Sequence, residues 1–177
     1  MRIVSGRFKG KFIKAPNRLP VRPTTDFAKE ALFNVLNNRF HIHELEVLDL
    51  FAGTGNISYE FVSRGVQQIS SVDQNSGCVS FIRKTMQELE SNANVIESDV
   101  ISFLKRTKTN YDLIFMDPPY DYDSYEKAIS LVFENKMLKP KGELIVEHDK
   151  QRDFSQLEGF LECRKYGKVN FSFFEYI

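Results

Sequence analysis

From Glu46 onward, short apolar runs alternate with amphipathic segments, and no other property of this chain narrows its fold so far. "EVLDLF" is followed by the glycine turn "AGTGN" and the helical "ISYEFVSRG", closed by Gly65. "QQISSVD" precedes "SGCVSFIRKTMQEL", "NVIES" precedes "DVISFLKRT", and "YDLIFMD" precedes "SYEKAISLVFENKML", with "GELIVEH" as a fifth strand. Near-continuous apolar runs are strands buried on both faces, and the helical spacing between them marks the helices that cover those faces. Regular alternation of this kind predicts a doubly wound, mostly parallel α/β sheet. The terminal "CRKYGKVNFSFFEYI" differs, because two aromatic-rich runs joined around Gly167 leave no room for a crossover and predict antiparallel pairing. Seven strands with an antiparallel C-terminal edge result.

Ahead of the sheet, "RPTTDFAKEALFNVLNNRF" predicts a helix. Pro23 cannot sit in its interior, Thr24 or Thr25 can cap it, and Asp26 complements its dipole. Phe27, Ala28, Ala31, Leu32, Val35 and Leu36 form its expected apolar face. Residues 1–22 hold Arg2, Arg7, Lys9, Lys11, Lys14, Arg18 and Arg22 and no acid; with a formal net charge of +0 overall, the remainder carries −7 by subtraction. A basic arm on an acidic body suits a polyanionic partner. Its alternating "RIVSGRFKGKFIKAP", with Gly6 and Gly10 at turns, predicts a short hairpin in place of a loose tail. The expected organisation is an arm over 1–22 and a single globular domain over 23–177, long enough to bury a core without disulfides or metal.

No run approaches the roughly 18 apolar residues of a membrane span, and the N-terminus lacks the apolar stretch of a secretory signal. A cytoplasmic protein with no membrane partner is expected. Cys78 and Cys163 show no CxxC spacing and are expected to be buried, inert thiols. His41, His43 and Glu44 in "HIHE" lack further ligands nearby, so they are assigned to a polar loop and no metal is expected.

Ligands of open parallel sheets bind beyond the carboxyl ends of the strands, first of all at the first strand-to-helix turn. Here that turn is "DLFAGTGNIS", where Gly53 and Gly55 let backbone approach a ligand and Phe51 enters the turn. Asp73, twenty residues after Gly53 at the end of the second strand, can accept both hydroxyls of a ribose. The pair implies an adenosine-containing cofactor. The third glycine of a dinucleotide fingerprint is replaced by Ser58, which favours S-adenosylmethionine over a nicotinamide dinucleotide. Asp99 is placed to reach the adenine amine, and Asp49 to approach the cationic methionine part.

"DPPY" follows the fourth strand and opens onto the same cleft. Pro118 and Pro119 stiffen the loop, so Asp117 and the Pro118 carbonyl become fixed acceptors for an exocyclic NH₂ group. Tyr120 offers a face on which a base can stack, worth about 1–3 kcal/mol. Holding the hydrogens of an aromatic amine turns its lone pair toward an electrophile, so orientation and electrostatic preorganisation carry the chemistry.

With these motifs the chain resembles a Rossmann-like class I S-adenosylmethionine methyltransferase, and more closely the RsmD-type family that methylates a guanine N2 of small-subunit 16S ribosomal RNA. The resemblance rests on "MRIVSGRFKGK", "RPTTDFAKEALFNVL", "DLFAGTGN", "SRG", "DPPY" and "GELIVEHD", in the family's order. It implies that Asp49, Phe51, Gly53, Gly55, Asp73, Asp99 and Asp117 line the cofactor pocket and that Asp117, Pro118 and Tyr120 hold the target base. Arg2, Arg7, Lys9, Lys11, Arg22, Pro119 and Tyr120 would meet the RNA, within a partly assembled subunit, with the enzyme acting as a monomer. Phe27 and Lys29 stand where relatives commonly carry arginines. Other amines, on adenine N6 or a protein glutamine, would also suit "DPPY"; a nicotinamide-dependent oxidoreductase and a non-catalytic RNA-binding module are the readings from other classes.

Overall fold

The computed structural model describes residues 1–19 and 24–176, so Arg22 and Pro23 lie outside the described residues. Thr25 caps helix α1 (Asp26–Arg39), its hydroxyl accepting from the Ala28 amide at 3.2 Å. There follow β1 (Glu46–Leu50), α2 (Asn56–Ser63), β2 (Gln68–Asp73), α3 (Ser76–Glu88), β3 (Asn94–Glu97), α4 (Val100–Arg106), β4 (Tyr111–Met116), α5 (Tyr125–Glu134), β5 (Leu138–His148), β6 (Phe160–Tyr166) and β7 (Val169–Glu175). The strands form one sheet in the order β3-β2-β1-β4-β5-β7-β6. The first five are mutually parallel, and β7 runs antiparallel to both β5 and β6.

Each face of the sheet buries its own apolar layer. Val47, Leu113, Phe115, Ile145 and Phe173 pack with Leu32, Phe33 and Leu36 of α1 and Phe61 of α2. Leu48, Leu50, Ile114, Met116 and Val146 pack with Leu104 of α4 and Ala128, Ile129 and Val132 of α5. A third cluster joins Ile3 and Ile13 of the arm to Tyr59, Ile82, Met86 and Leu89. An antiparallel bridge links Arg2 to Phe12, as a short hairpin requires. Gly6, with φ +81, presses against α2 so closely that a Cβ would lie 1.9 Å from the Ser63 carbonyl oxygen. The Val4 and Ser5 amides donate to the Glu60 carboxylate at 2.9 and 3.1 Å.

Three expectations are corrected. The buried stripe of α1 is turned about a residue further round, so that Phe27 is 66% exposed while Lys29 and Phe33 are fully buried. Lys29 is drawn inward by Glu60 on α2, 3.5 Å from its ammonium. Cys163 is exposed, because β6 is an edge strand with one face in water, whereas Cys78 is buried as expected. In "HIHE", Ile42–Glu44 forms a 3-10 turn that buries Ile42 and leaves both histidines exposed.

Candidate active site

The strand order reverses at β1, which lies between β2 and β4, and a cleft opens beyond the carboxyl ends at such a switch point. Leu50 sits beside Met116 in register, so the glycine turn and the DPPY loop leave the sheet side by side. They touch. The Phe51 and Tyr122 rings meet edge-on with centroids 4.9 Å apart, and the Asp117 amide donates to the Leu50 carbonyl at 3.4 Å. Phe51 itself has φ 60, a left-handed conformation rare for a bulky side chain and typical of residues held in place at functional sites.

The turn is a backbone cradle. Gly53 and Gly55 have φ 55 and 83, and a Cβ on Gly55 would fall 2.6 Å from the Tyr59 ring. Asp73 is locked by two amides, Gly53 to its Oδ2 and Asn75 to its Oδ1, each at 2.8 Å. Burial raises its pKa, while the Asn75 and Gly53 amides pull it back. Each carboxylate oxygen keeps a lone pair for a ribose hydroxyl. These residues fit an adenosine cofactor. We expect Asp73→Ala to weaken S-adenosylhomocysteine binding by about 10- to 100-fold in calorimetry, the loss of hydrogen bonds to a charged acceptor.

Ser58, in the place of a third glycine, is buried and ties helix to sheet: its hydroxyl lies 2.5 Å from Asp49 Oδ2 and 2.7 Å from Ser71 Oγ. Asp49 is 2% exposed and sits beneath the turn, its pKa pushed up to about 7 by burial against the pull of Ser58. Asp99 is exposed at the same edge of the sheet and caps α4, accepting from the Ser102 amide at 2.8 Å.

Asp117 is half-buried at the tip of β4, followed by buried Pro118 and by Pro119 and Tyr120, both exposed. Its pKa stands well above the carboxylate range through burial first and then the neighbouring Glu147 and Asp49 charges, against a hydrogen bond from Thr24. The Pro118 carbonyl accepts from the Tyr125 hydroxyl at 3.3 Å and keeps a second lone pair. Arg152 clamps the loop from outside, donating to the Tyr120 and Tyr122 carbonyls at 3.0 and 2.8 Å.

The resemblance implies that the Thr24–Thr25 turn lies near the pocket mouth; its partners there, Glu147 and Asn56, and the Lys29 network behind them were not anticipated. The Thr24 hydroxyl lies 3.4 Å from Asp117 Oδ2 and 3.1 Å from Glu147 Oε2, and the Asn56 amide donates to the Thr24 carbonyl at 2.8 Å. Lys29 in turn donates to Asn56 Oδ1 at 2.9 Å and to the Arg2 carbonyl at 2.6 Å. One buried cation thus ties the arm, the start of α2 and the DPPY loop together. An acid within the apolar run "GELIVEH" was the available sign of Glu147, since a buried carboxylate needs a reason.

Comparison with known proteins agrees with this geometry. The family described as "Conserved hypothetical protein 95" matches residues 1–175. Ribosomal RNA small subunit methyltransferase D of Haemophilus influenzae is 34% identical over 157 residues, covering 86% of this chain and 80% of the relative. The protein of the same name from Escherichia coli K12 is 31% identical over 150 residues, 84% of this chain and 75% of its own. Among solved structures, a hypothetical protein of Thermus thermophilus superposes with a TM-score of 0.86 at 25% identity, covering 99% of both chains. The T. thermophilus 16S rRNA N2 G1207 methyltransferase (RsmC), in complex with AdoMet and guanosine, shares the fold at a TM-score of 0.73 and 21% identity, over 90% of this chain and 45% of that one. Fold and site define a class I S-adenosylmethionine-dependent methyltransferase. Within that class, the chain belongs to the RsmD-type family.

Proposed function

We propose that this methyltransferase modifies the exocyclic N2 amine of a guanine in 16S ribosomal RNA of the small subunit. The observation that carries it is a pair of adjacent acceptors, the Asp117 carboxylate and the Pro118 carbonyl, held against the glycine turn by the adjacency of Leu50 and Met116. When bound, S-adenosylmethionine supplies an electrophilic methyl group. Asp117 and the Pro118 carbonyl accept the two amine hydrogens, which turns the nitrogen lone pair out of conjugation with the ring. Asp117 then takes the proton that the nitrogen sheds on methylation. Tyr120 presents a ring for stacking once the guanine leaves its own stack.

The arm supports RNA as the carrier of that guanine. Between it and α3 runs an open groove of about 560 Å³, lined by Lys11, Phe12, Lys14, Arg18, Phe81 and Lys84 among others. Phe12 is 76% exposed. Arg2 pairs with Asp26 at 3.1 Å and Arg7 with Glu90 at 3.0 Å, exposed pairs that exchange readily for phosphates. Lys9 is exposed. Phosphate contacts give affinity without sequence choice, so site selection falls to RNA shape in a partly assembled subunit in the cytoplasm, where the enzyme works as a monomer. No helix among the described residues is long and apolar enough to cross a membrane.

Replacing Lys11 and Lys84 together by alanine is expected to flatten the salt dependence of RNA binding, lowering the slope of log K against log salt by about 1.4 for two lost phosphate contacts. Mass spectrometry of rRNA nucleosides tests the reading itself. Cells lacking the gene should lose N2-methylguanosine at one 16S position, and an unchanged content would contradict it.

A further inference from the structure

Met116 and Val146 are register partners in the parallel pairing of β4 and β5, so the next residues, Asp117 and Glu147, leave neighbouring strands side by side on one face. Adjacent strands lie about 4.8 Å apart. Glu147 is 4% exposed and takes no direct part in the amine chemistry described above. The Thr24 hydroxyl stands between the two carboxyls, 3.4 Å from one and 3.1 Å from the other. Such long contacts are common before substrate binds. A hydroxyl has one hydrogen to donate. For both contacts to be full two-centre hydrogen bonds, one of the carboxyls must be protonated and donate to Thr24 while Thr24 donates to the other.

From this geometry we infer that Glu147 is a positioning residue that shares one proton with Asp117 across the Thr24 hydroxyl, so that Asp117 carries the pair's negative charge when an amine donates to it. Before substrate arrives, the proton rests on either carboxyl. When amine hydrogens approach Asp117 they stabilise charge there; the Asp117 proton passes to Thr24 Oγ1 as the Thr24 proton passes to Glu147. No proton is gained or lost. On methylation the N–C bond forms, the C–S bond breaks with its electron pair left on sulfur, and the amine proton goes to Asp117. Asp117 is half-buried and returns it to solvent.

The surroundings favour one charge over two. Asp49 faces the pair from β1, and Tyr125 comes from α5 with its hydroxyl on the Pro118 carbonyl. Lys29 of α1 is spent on Glu60, Asn56 and the Arg2 carbonyl. Beyond β5, His148 is bound to Ser172 and the Asp149 carbonyl, and Arg152 stacks on the Tyr125 ring at 4.1 Å and grips the loop carbonyls. Among the described residues, none of the hydrogen bonds or ion pairs of Lys29 and Arg152 reaches either carboxyl. Two like charges so placed titrate as a unit, in two separated steps.

The proposal rests on the methyltransferase reading for its purpose, but its first test needs no RNA. Asp49 titrates near 7 and would add its own band, so infrared difference spectroscopy is run on the full chain carrying Asp49→Asn, which at neutral pH should show one protonated carboxyl that adding Asp117→Asn or Glu147→Gln removes. A carbonyl signal absent from Asp49→Asn, or surviving in either double variant, overturns the shared proton. In the second test, Thr24→Val should lower kcat about tenfold without changing S-adenosylhomocysteine affinity, and Thr24→Ser should restore it. Wild-type kcat in Thr24→Val, or no rescue by serine, overturns the relay. Failure to methylate any guanine would instead sink the substrate assignment and leave the spectroscopic result standing.

Discussion

Asp117→Ala should lower kcat for guanine methylation by at least about 10³-fold while S-adenosylhomocysteine affinity stays within about fivefold, read by single-turnover kinetics and calorimetry. The size follows from what the side chain does. In the proposed reaction it orients the amine and receives its proton, and groups that act as base in this way contribute about 10²–10⁴-fold, with misorientation of the attacking atom adding to the loss. The small effect on affinity follows from position: Asp117 meets Thr24 and lies beside Glu147, whereas Asp73, the carboxylate expected to hold the ribose, is fixed on β2 by the glycine turn. Asp117→Asn keeps an acceptor oxygen but loses the charge and adds a donor, and should fall between, at about 10- to 100-fold. Activity near wild type in either variant would mean that the amine is held elsewhere.

Lys29→Met should destabilise the chain by about 3 kcal/mol, because an uncompensated buried carboxylate costs more than a buried pair contributes. Glu60 is fully buried, and Lys29 is its partner on α1. The cost falls at the low end of the range for a broken buried pair because Arg64, at 2.9 Å, and the Val4 and Ser5 amides still reach Glu60. In a domain of this size the melting temperature should drop by roughly 10 °C. Burial pushes the Lys29 ammonium down from the usual lysine range, against the pull of Glu60. Adding Glu60→Gln to Lys29→Met should recover part of the loss, as neighbours in one network are not additive. The same variant releases the hold on Asn56 and the Arg2 carbonyl, so hydrogen exchange of the arm amides should quicken along with the loss of stability.

Much of this was legible in the residues, and the boundary has a physical cause. Strands such as "YDLIFMD" and the switch from helical to alternating pattern at "CRKYGKVNFSFFEYI" are local signals, and they placed all seven strands. The placement of Gly53 against Asp73 and of Asp117 beside the glycine turn was legible because the chemistry of a turn or strand end is written within a few residues. The face of α1 was read one residue off, because Lys29 is buried by a partner 31 positions away that periodicity cannot see. The Thr24 contacts span 93 and 123 residues, so they depend on the β4–β5 register and on the packing of the segment before α1 against those strand ends, neither of which is a local signal. Cys163 looked buried by its neighbours and is exposed because β6 is the edge.

A crystal structure with S-adenosylhomocysteine and guanosine bound together tests the shared crevice most directly. It should place the ribose hydroxyls on Asp73 and the guanine N2 within hydrogen-bond reach of Asp117, on the same side of the sheet. Guanosine seated away from the DPPY loop, or a cofactor ribose that leaves Asp73 untouched, would contradict it.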